Sequence, residues 1–155
     1  MQNVLLVIPA DKEPQRASAA AIELARQRGA SLVAVVVVDP NLSTYAASTL
    51  TDLGFMGEEV GEQVSGAIVR EYRARAAALL HGLAERAKKE GVAVTPLIEQ
   101  GDIGEICSRV IRAHQIGIAV LVAEKRSWLT RFLSHSAAVQ LPALSGCEVR
   151  VMEED

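Results

Sequence analysis

A single-domain α/β fold, with a five-stranded parallel sheet in the order 3-2-1-4-5 sandwiched by helices, is what three features of this 155-residue sequence predict. Apolar runs of strand length recur along the chain and alternate with segments whose apolar residues return at helical spacing. Half of the residues are hydrophobic while only 3% are aromatic, so the core must be built from Ala, Val, Leu and Ile, which suits helices lying on a Val-rich sheet. A domain of this length, residues 1–155, buries roughly 70% of the surface of its unfolded chain and needs no covalent staple.

The elements follow in order. Residues 3–8 (NVLLVI) form a continuous apolar run closed by Pro9 and read as a buried parallel strand. After the polar turn ADKEPQ, with Pro14 placed where a helix can begin, Ala17, Ala21, Leu24 and Ala25 recur at helical spacing up to a stop at Gly29. Residues 31–38 (SLVAVVVV), bounded by Gly29 and by Asp39-Pro40, read as a central strand. Residues 41–61 mix Ser, Thr, Gly and acids with scattered apolar residues and read as a long loop with room for a short helix.

From Val64, the stripe Ile68, Tyr72, Ala76, Leu79, Leu80, Leu83 and Ala87 predicts a long helix ending at Gly91. Residues 92–98 (VAVTPLI) form a third strand, and Pro96 places it at an edge. Asp102 and Glu105 have capping-box spacing ahead of a third helix with Ile103, Ile106, Cys107, Val110 and Ile111 on its buried face, and Gly117 ends the connection. Residues 118–123 (IAVLVA) are the fourth strand, which leads into a loop carrying Lys125, Arg126 and Arg131. A short helix over 136–141 then meets Pro142, and 148–152 (EVRVM) alternate as a half-buried last strand. Strands one and four point their carboxyl ends at the place where the strand order reverses, which is where sheets of this kind bind ligands.

Charge and composition exclude several classes. A formal net charge of -3 with acids and bases interspersed lacks the basic face of a nucleic-acid binder. Cys107 and Cys147 are isolated, and with only His81, His114 and His135 beside them no zinc or disulfide framework is readable. The start MQNVLLVIPAD has no basic leader, and no apolar run approaches the ~18 residues of a membrane span. A reduced, cytoplasmic protein without membrane insertion is expected.

With these elements placed, the chain resembles the universal stress proteins, a branch of the adenine-nucleotide α-hydrolase-like, Rossmann-like folds. The features that carry the likeness are the short first strand, SAAAIELARQRGASLVAVVVVD, the long second helix, the QGDIGEI turn and the closing CEVRVM. Members that bind ATP share a loop of the form G-x-x-G, nine further residues, then G-S or G-T. There glycines admit phosphates close to backbone N–H groups. Laid on this chain, the pattern puts Val122, Lys125 and His135 at the glycines and Ser136 at the hydroxyl. Side chains in place of those glycines are expected to put Cβ atoms where phosphate oxygens would approach. The family's aspartate after the first strand falls on Pro9, with Asp11 close by.

The resemblance implies a non-catalytic, dimeric stress-response regulator or interaction module with no required cofactor, and leaves room for an unidentified protein partner. Its alternative is a binder of ATP, AMP or another phosphate ligand with slow hydrolysis. That site would be built from Asp11, Lys125, Arg126, His135 and Ser136, with Ser136 and the following amides offering an anion site. An adenylating enzyme ranks third, because PADKEPQ has no glycine for a pyrophosphate turn. In the family, the fifth strands of two subunits pair across a twofold axis. Here Glu148, Val149, Arg150 and Val151 are the expected homodimer contacts, with Glu148 and Arg150 on one face.

The remaining residues read mainly as structural. Trp128 and Phe132, four apart, share a face if WLTRFL is helical and then cover the end of the sheet or sit in a dimer contact, with a partner-binding or ligand-stacking surface as the alternative; Ser136 beside His135 reads as a helix cap rather than a nucleophile. Cys107 reads as core, Cys147 as partly accessible, His114 as a helix-end residue, and Glu58, Glu59 and the last three acids as solvated charge.

Overall fold

The computed structural model describes residues 2–9, 14–38, 58–123 and 147–153. Its sheet has five strands in the order β3-β2-β1-β4-β5, every neighbouring pair parallel. The strands are β1 (Asn3–Pro9), β2 (Leu32–Val38), β3 (Val94–Gln100), β4 (Ile116–Ala123) and β5 (Glu148–Glu153). Between them run α1 (Gln15–Arg28), α2 (Glu58–Lys89) and α3 (Ile103–Ala113).

The continuous apolar runs of β1, β2 and β4 have the physical consequence expected of them, burial on both faces. Val4, Leu6 and Ile8 face α1 and α2 together with Ala34, Val36, Ile118, Val120 and Val122, while Leu5 and Val7 face α3 with Val33, Val35, Ala119 and Leu121. Ala17, Ala21 and Ala25 let α1 lie close to the sheet. In α2, Ala76, Leu80, Leu83 and Ala87 continue that layer. An ion pair between Arg109 and Glu99, 3.0 Å, ties α3 to β3 on the other side.

Four expectations are corrected. The long helix begins at Glu58, not Val64, so 58–61 belong to it and not to the preceding loop. Gly61 and Gly66 are poor helix formers, which hid the start, yet the helix continues through both. The third strand is shifted two residues, because Val92 closes α2 by donating its N–H to the Ala87 carbonyl (2.9 Å). Gly117 lies inside β4, not in a connection; the left-handed residue that turns α3 into β4 is Gln115, φ 52°. Glycine at 117 serves close approach, since a methyl group there would fall 2.6 Å from the Gln2 amide oxygen. Cys147 is buried like Cys107, not partly accessible. The helix expected at 136–141, and Trp128 and Phe132, lie outside the described residues.

Both ends of the helices are set by local chemistry. The Asp102 side chain accepts the Glu105 N–H at 3.0 Å and caps α3. Gly29 at φ 61° ends α1, and Ala30 donates back to the Ala25 carbonyl. At the amino edge of the sheet, Asn3 joins three segments: its Nδ2 donates to the His114 carbonyl (2.9 Å), its Oδ1 accepts the Ser31 N–H (3.4 Å), and its own N–H donates to the Gln115 carbonyl (2.9 Å). Asn3→Ala removes the first two bonds and keeps the third. It is expected to cost about 1–3 kcal/mol in urea denaturation.

Ser18 is the one buried polar residue among those described, and its hydroxyl has no hydrogen-bond partner. A buried hydroxyl without a partner is destabilising. Ser18→Ala is therefore expected to raise stability by about 1 kcal/mol, read as a higher denaturation midpoint.

Both thiols are held neutral. Burial pushes Cys107 up to about 12, with the Asp102 carboxylate and Cys147 adding to the effect. Burial also raises Cys147, and Glu148 adds to it, against a backbone hydrogen bond from Ala119. The unfolded chain releases these protons near pH ~8.5. Ionisation therefore favours the unfolded state first, and stability falls as pH rises from there toward the folded values. Denaturation midpoints are expected to drop between neutral and alkaline pH, and a thiol reagent should label both cysteines only after unfolding.

Candidate functional site

The crevice lies where β1 hands the chain to its two neighbours. From β1 the chain passes through α1 to β2 on one side, while β4 lies on the other side and is entered from α3, which packs on the opposite face. The connections therefore diverge at the carboxyl ends of β1 and β4 and leave an opening between them. Ile8, Val38 and Val122, at or near the carboxyl ends of their strands, are fully or nearly fully buried in the core.

Asp11, Lys125, Arg126, His135 and Ser136, the residues expected to hold a nucleotide or anion, all lie outside the described residues. Val122 is described, and its place differs from the expectation at that position. It is paired with Met152 in β4, and its side chain points into the core beneath α1 and α2, not toward the crevice. Strand alternation is the reason, since Ile118, Val120 and Val122 share one face. Among the described residues, no group of three or more His, Cys, Asp or Glu side chains could hold a metal ion. His81 is exposed on α2, and His114 sits at the end of α3, where its carbonyl serves Asn3.

The turns of α2 before Arg73 run toward the carboxyl edge of the sheet, because the Arg73 guanidinium reaches the Gln100 side chain at the end of β3 (3.4 Å). The helix has 32 residues, about 48 Å at the usual rise. It is longer than the seven-residue strand β2 it packs on.

The expected dimer residues are all on β5. This strand pairs with β4 from Ile118 opposite Glu148 to Ala123 opposite Glu153, and its other edge meets no strand among those described. Glu148 and Arg150 are exposed, Val149 is half-buried against the α3 layer, and Val151 is the exposed large hydrophobic residue among those described, at 46%. Glu148 lies 3.8 Å from Arg28 at the end of α1 and 3.9 Å from Arg150. Sequence reasoning missed Arg28. Its only local signal is a base in a helix's last turn, and the sheet order alone brings it beside β5.

The described helices include none long and apolar enough to cross a membrane. No curated protein matches the sequence. Solved structures do match the fold. A protein of the universal stress protein family from Burkholderia pseudomallei aligns with 23% identity over 96% of this chain and 94% of its own, TM-score 0.62. The universal stress protein UspA from Lactobacillus plantarum aligns with 17% identity over 98% and 99%, TM-score 0.67. The universal stress protein from Archaeoglobus fulgidus in complex with dAMP aligns with 13% identity over 97% of each chain, TM-score 0.59. The sequence profile of the universal stress protein family matches residues 1–152, and with the parallel 3-2-1-4-5 sheet this shows that the chain belongs to that family.

Proposed function

We propose that this protein is a non-catalytic, dimeric regulatory or interaction module of the stress response, working in a reduced cytoplasm and acting through protein contacts. The observation that supports it is the edge of β5, which meets no second strand among those described and carries an exposed Val151 and two exposed charges of opposite sign. The opposite edge of the sheet is blunted by Pro96 in β3. Of the two edges, β5 is the one suited to receive another strand.

A second reading is favoured by the dAMP complex of the Archaeoglobus fulgidus protein, which has the same fold. On that reading the chain binds ATP or AMP at the carboxyl ends of β1 and β4. Lys125 and Arg126 would meet the phosphates, Ser136 would donate a hydroxyl, and Asp11 and His135 would lie beside them. Val122, turned into the core, leaves that opening unobstructed at its own position.

Calorimetric titration with ATP, ADP and AMP, with and without magnesium and with Trp128 fluorescence followed in parallel, separates the two. Absence of heat and of a fluorescence change at millimolar nucleotide is the outcome expected of the interaction module. Saturable micromolar binding, weakened about tenfold or more by Lys125→Glu or Ser136→Ala, would establish the nucleotide sensor instead.

A further inference from the structure

We propose that Cys107 and Cys147 form a disulfide within one chain when the protein meets a peroxide, and that this bond locks α3 to the start of β5 across β4. Neither thiol belongs to the residues on which the dimeric and nucleotide-binding readings rest, so the bond forms under either.

The fold brings together two residues that the sequence holds far apart. Cys107 lies on the inner face of α3 and Cys147 immediately precedes β5, yet both are buried in the one apolar layer between α3 and the sheet, together with Ala119 and Leu121 of β4. The strand order runs from β3 at one edge to β5 at the other, and α3 packs on β4. The Arg109 guanidinium reaches back to Glu99 of β3 at 3.0 Å, so its flank of α3 is the one turned to the β3 edge. Cys107 stands about 160° round the helix from Arg109. It is therefore on the flank turned toward β4 and β5.

From the other side, the Cys147 thiol accepts the backbone N–H of Ala119 and donates to the Glu148 carbonyl at 3.2 Å. Ala119, opposite Val149 in the ladder, carries only a methyl group, so β4 puts no long side chain at this place in the layer. The two thiols are near enough that negative charge on Cys147 helps keep Cys107 protonated.

Their surroundings divide the roles. Cys107, pushed up to about 12 by burial, stays a thiol. Cys147 is also raised by burial, but it stands at the start of an edge strand beside the exposed Glu148, and the Ala119 N–H stabilises charge on its sulfur. Hydrogen peroxide is little larger than water and reaches a sulfur that an aromatic thiol reagent does not. The Cys147 thiolate attacks one peroxide oxygen: an S–O bond forms, the O–O bond breaks, and the departing hydroxide takes up the proton that the thiol gave, leaving a sulfenic acid and water. The Cys107 sulfur then attacks the Cys147 sulfur, the S–S bond forms as the S–O bond breaks, and the hydroxide leaves with the Cys107 proton as a second water. Two thiols have lost two electrons to one peroxide. In reducing surroundings the pair stays open and serves as core.

The test uses the full-length chain, kept below its denaturation midpoint, exposed to millimolar hydrogen peroxide, then denatured, capped with N-ethylmaleimide and digested. A linked peptide containing Cys107 and Cys147, released by dithiothreitol, is expected, and the oxidised chain should melt about 5 °C or more higher because the bond restricts the unfolded state. Cys107→Ala removes the resolving thiol, so dimedone should trap a sulfenic acid at Cys147; Cys147→Ala should leave Cys107 a free thiol at the same dose. Two free thiols in the peroxide-treated wild type, Cys147 carried on to sulfinic acid beside a free Cys107, a link joining two chains, or a disulfide that forms only in urea would each overturn the proposal. The wild-type result decides it even if a variant fails to fold, and an oxidised chain with an unchanged melting point would overturn the lock.

Discussion

Burial of β1 on both faces, with a parallel neighbour on each side, is the constraint on which the rest of the molecule depends. Leu5, Leu6, Val7 and Ile8 are fully buried, so one helical layer must cover the even residues and another the odd ones. Parallel pairing obliges the chain to return across a face after every strand, and right-handed crossovers put α1 and α2 on one side. Once the chain has filled the β2-β3 half of the sheet, it must cross to the other half through α3 on the opposite face. The crevice between β1 and β4 is the geometric residue of that change in direction.

Such a sheet needs its amino edge held in register as firmly as its core is packed. Asn3 performs that role by bonding to His114 and Gln115 after α3 and to Ser31 after α1. One short side chain thus fixes how two helix-to-strand turns meet the central strand. The turns themselves use left-handed residues, Gly29, Gly91 and Gln115, of which only the last carries a side chain. Its cost is modest for an unbranched polar residue, and the hydrogen bond from Asn3 helps hold it.

The two sheet edges are treated differently. β3 carries Pro96 opposite Ala34, and the arginine side chains of Arg73 and Arg109 reach Gln100 and Glu99 at its end. β5 has no proline, alternates charge with valine, and leaves Val151 uncovered. An edge that meets no second strand among those described is a hazard unless it is covered or matched to a partner.

The sequence by itself determined the fold class, the strand order and the layers, because a strand buried on both faces has to be apolar throughout and a helix on a sheet has to repeat its apolar residues. It marked the edge role of β3 through Pro96 and the cap at Asp102, since both act through their own backbone. It misplaced the start of α2, where glycines at 61 and 66 hide a helix that propagates through them, and it took Gly117 for a turn when the glycine answers to Gln2 across space. The crevice was legible as a place, but the side-chain direction of Val122 was not, because the motif gives a residue's spacing while the strand's alternation decides its face. Arg28 beside Glu148 likewise came only from the tertiary structure. Contacts between residues 120 positions apart depend on which strands become neighbours, and no local pattern encodes the side chains that such neighbours bring together.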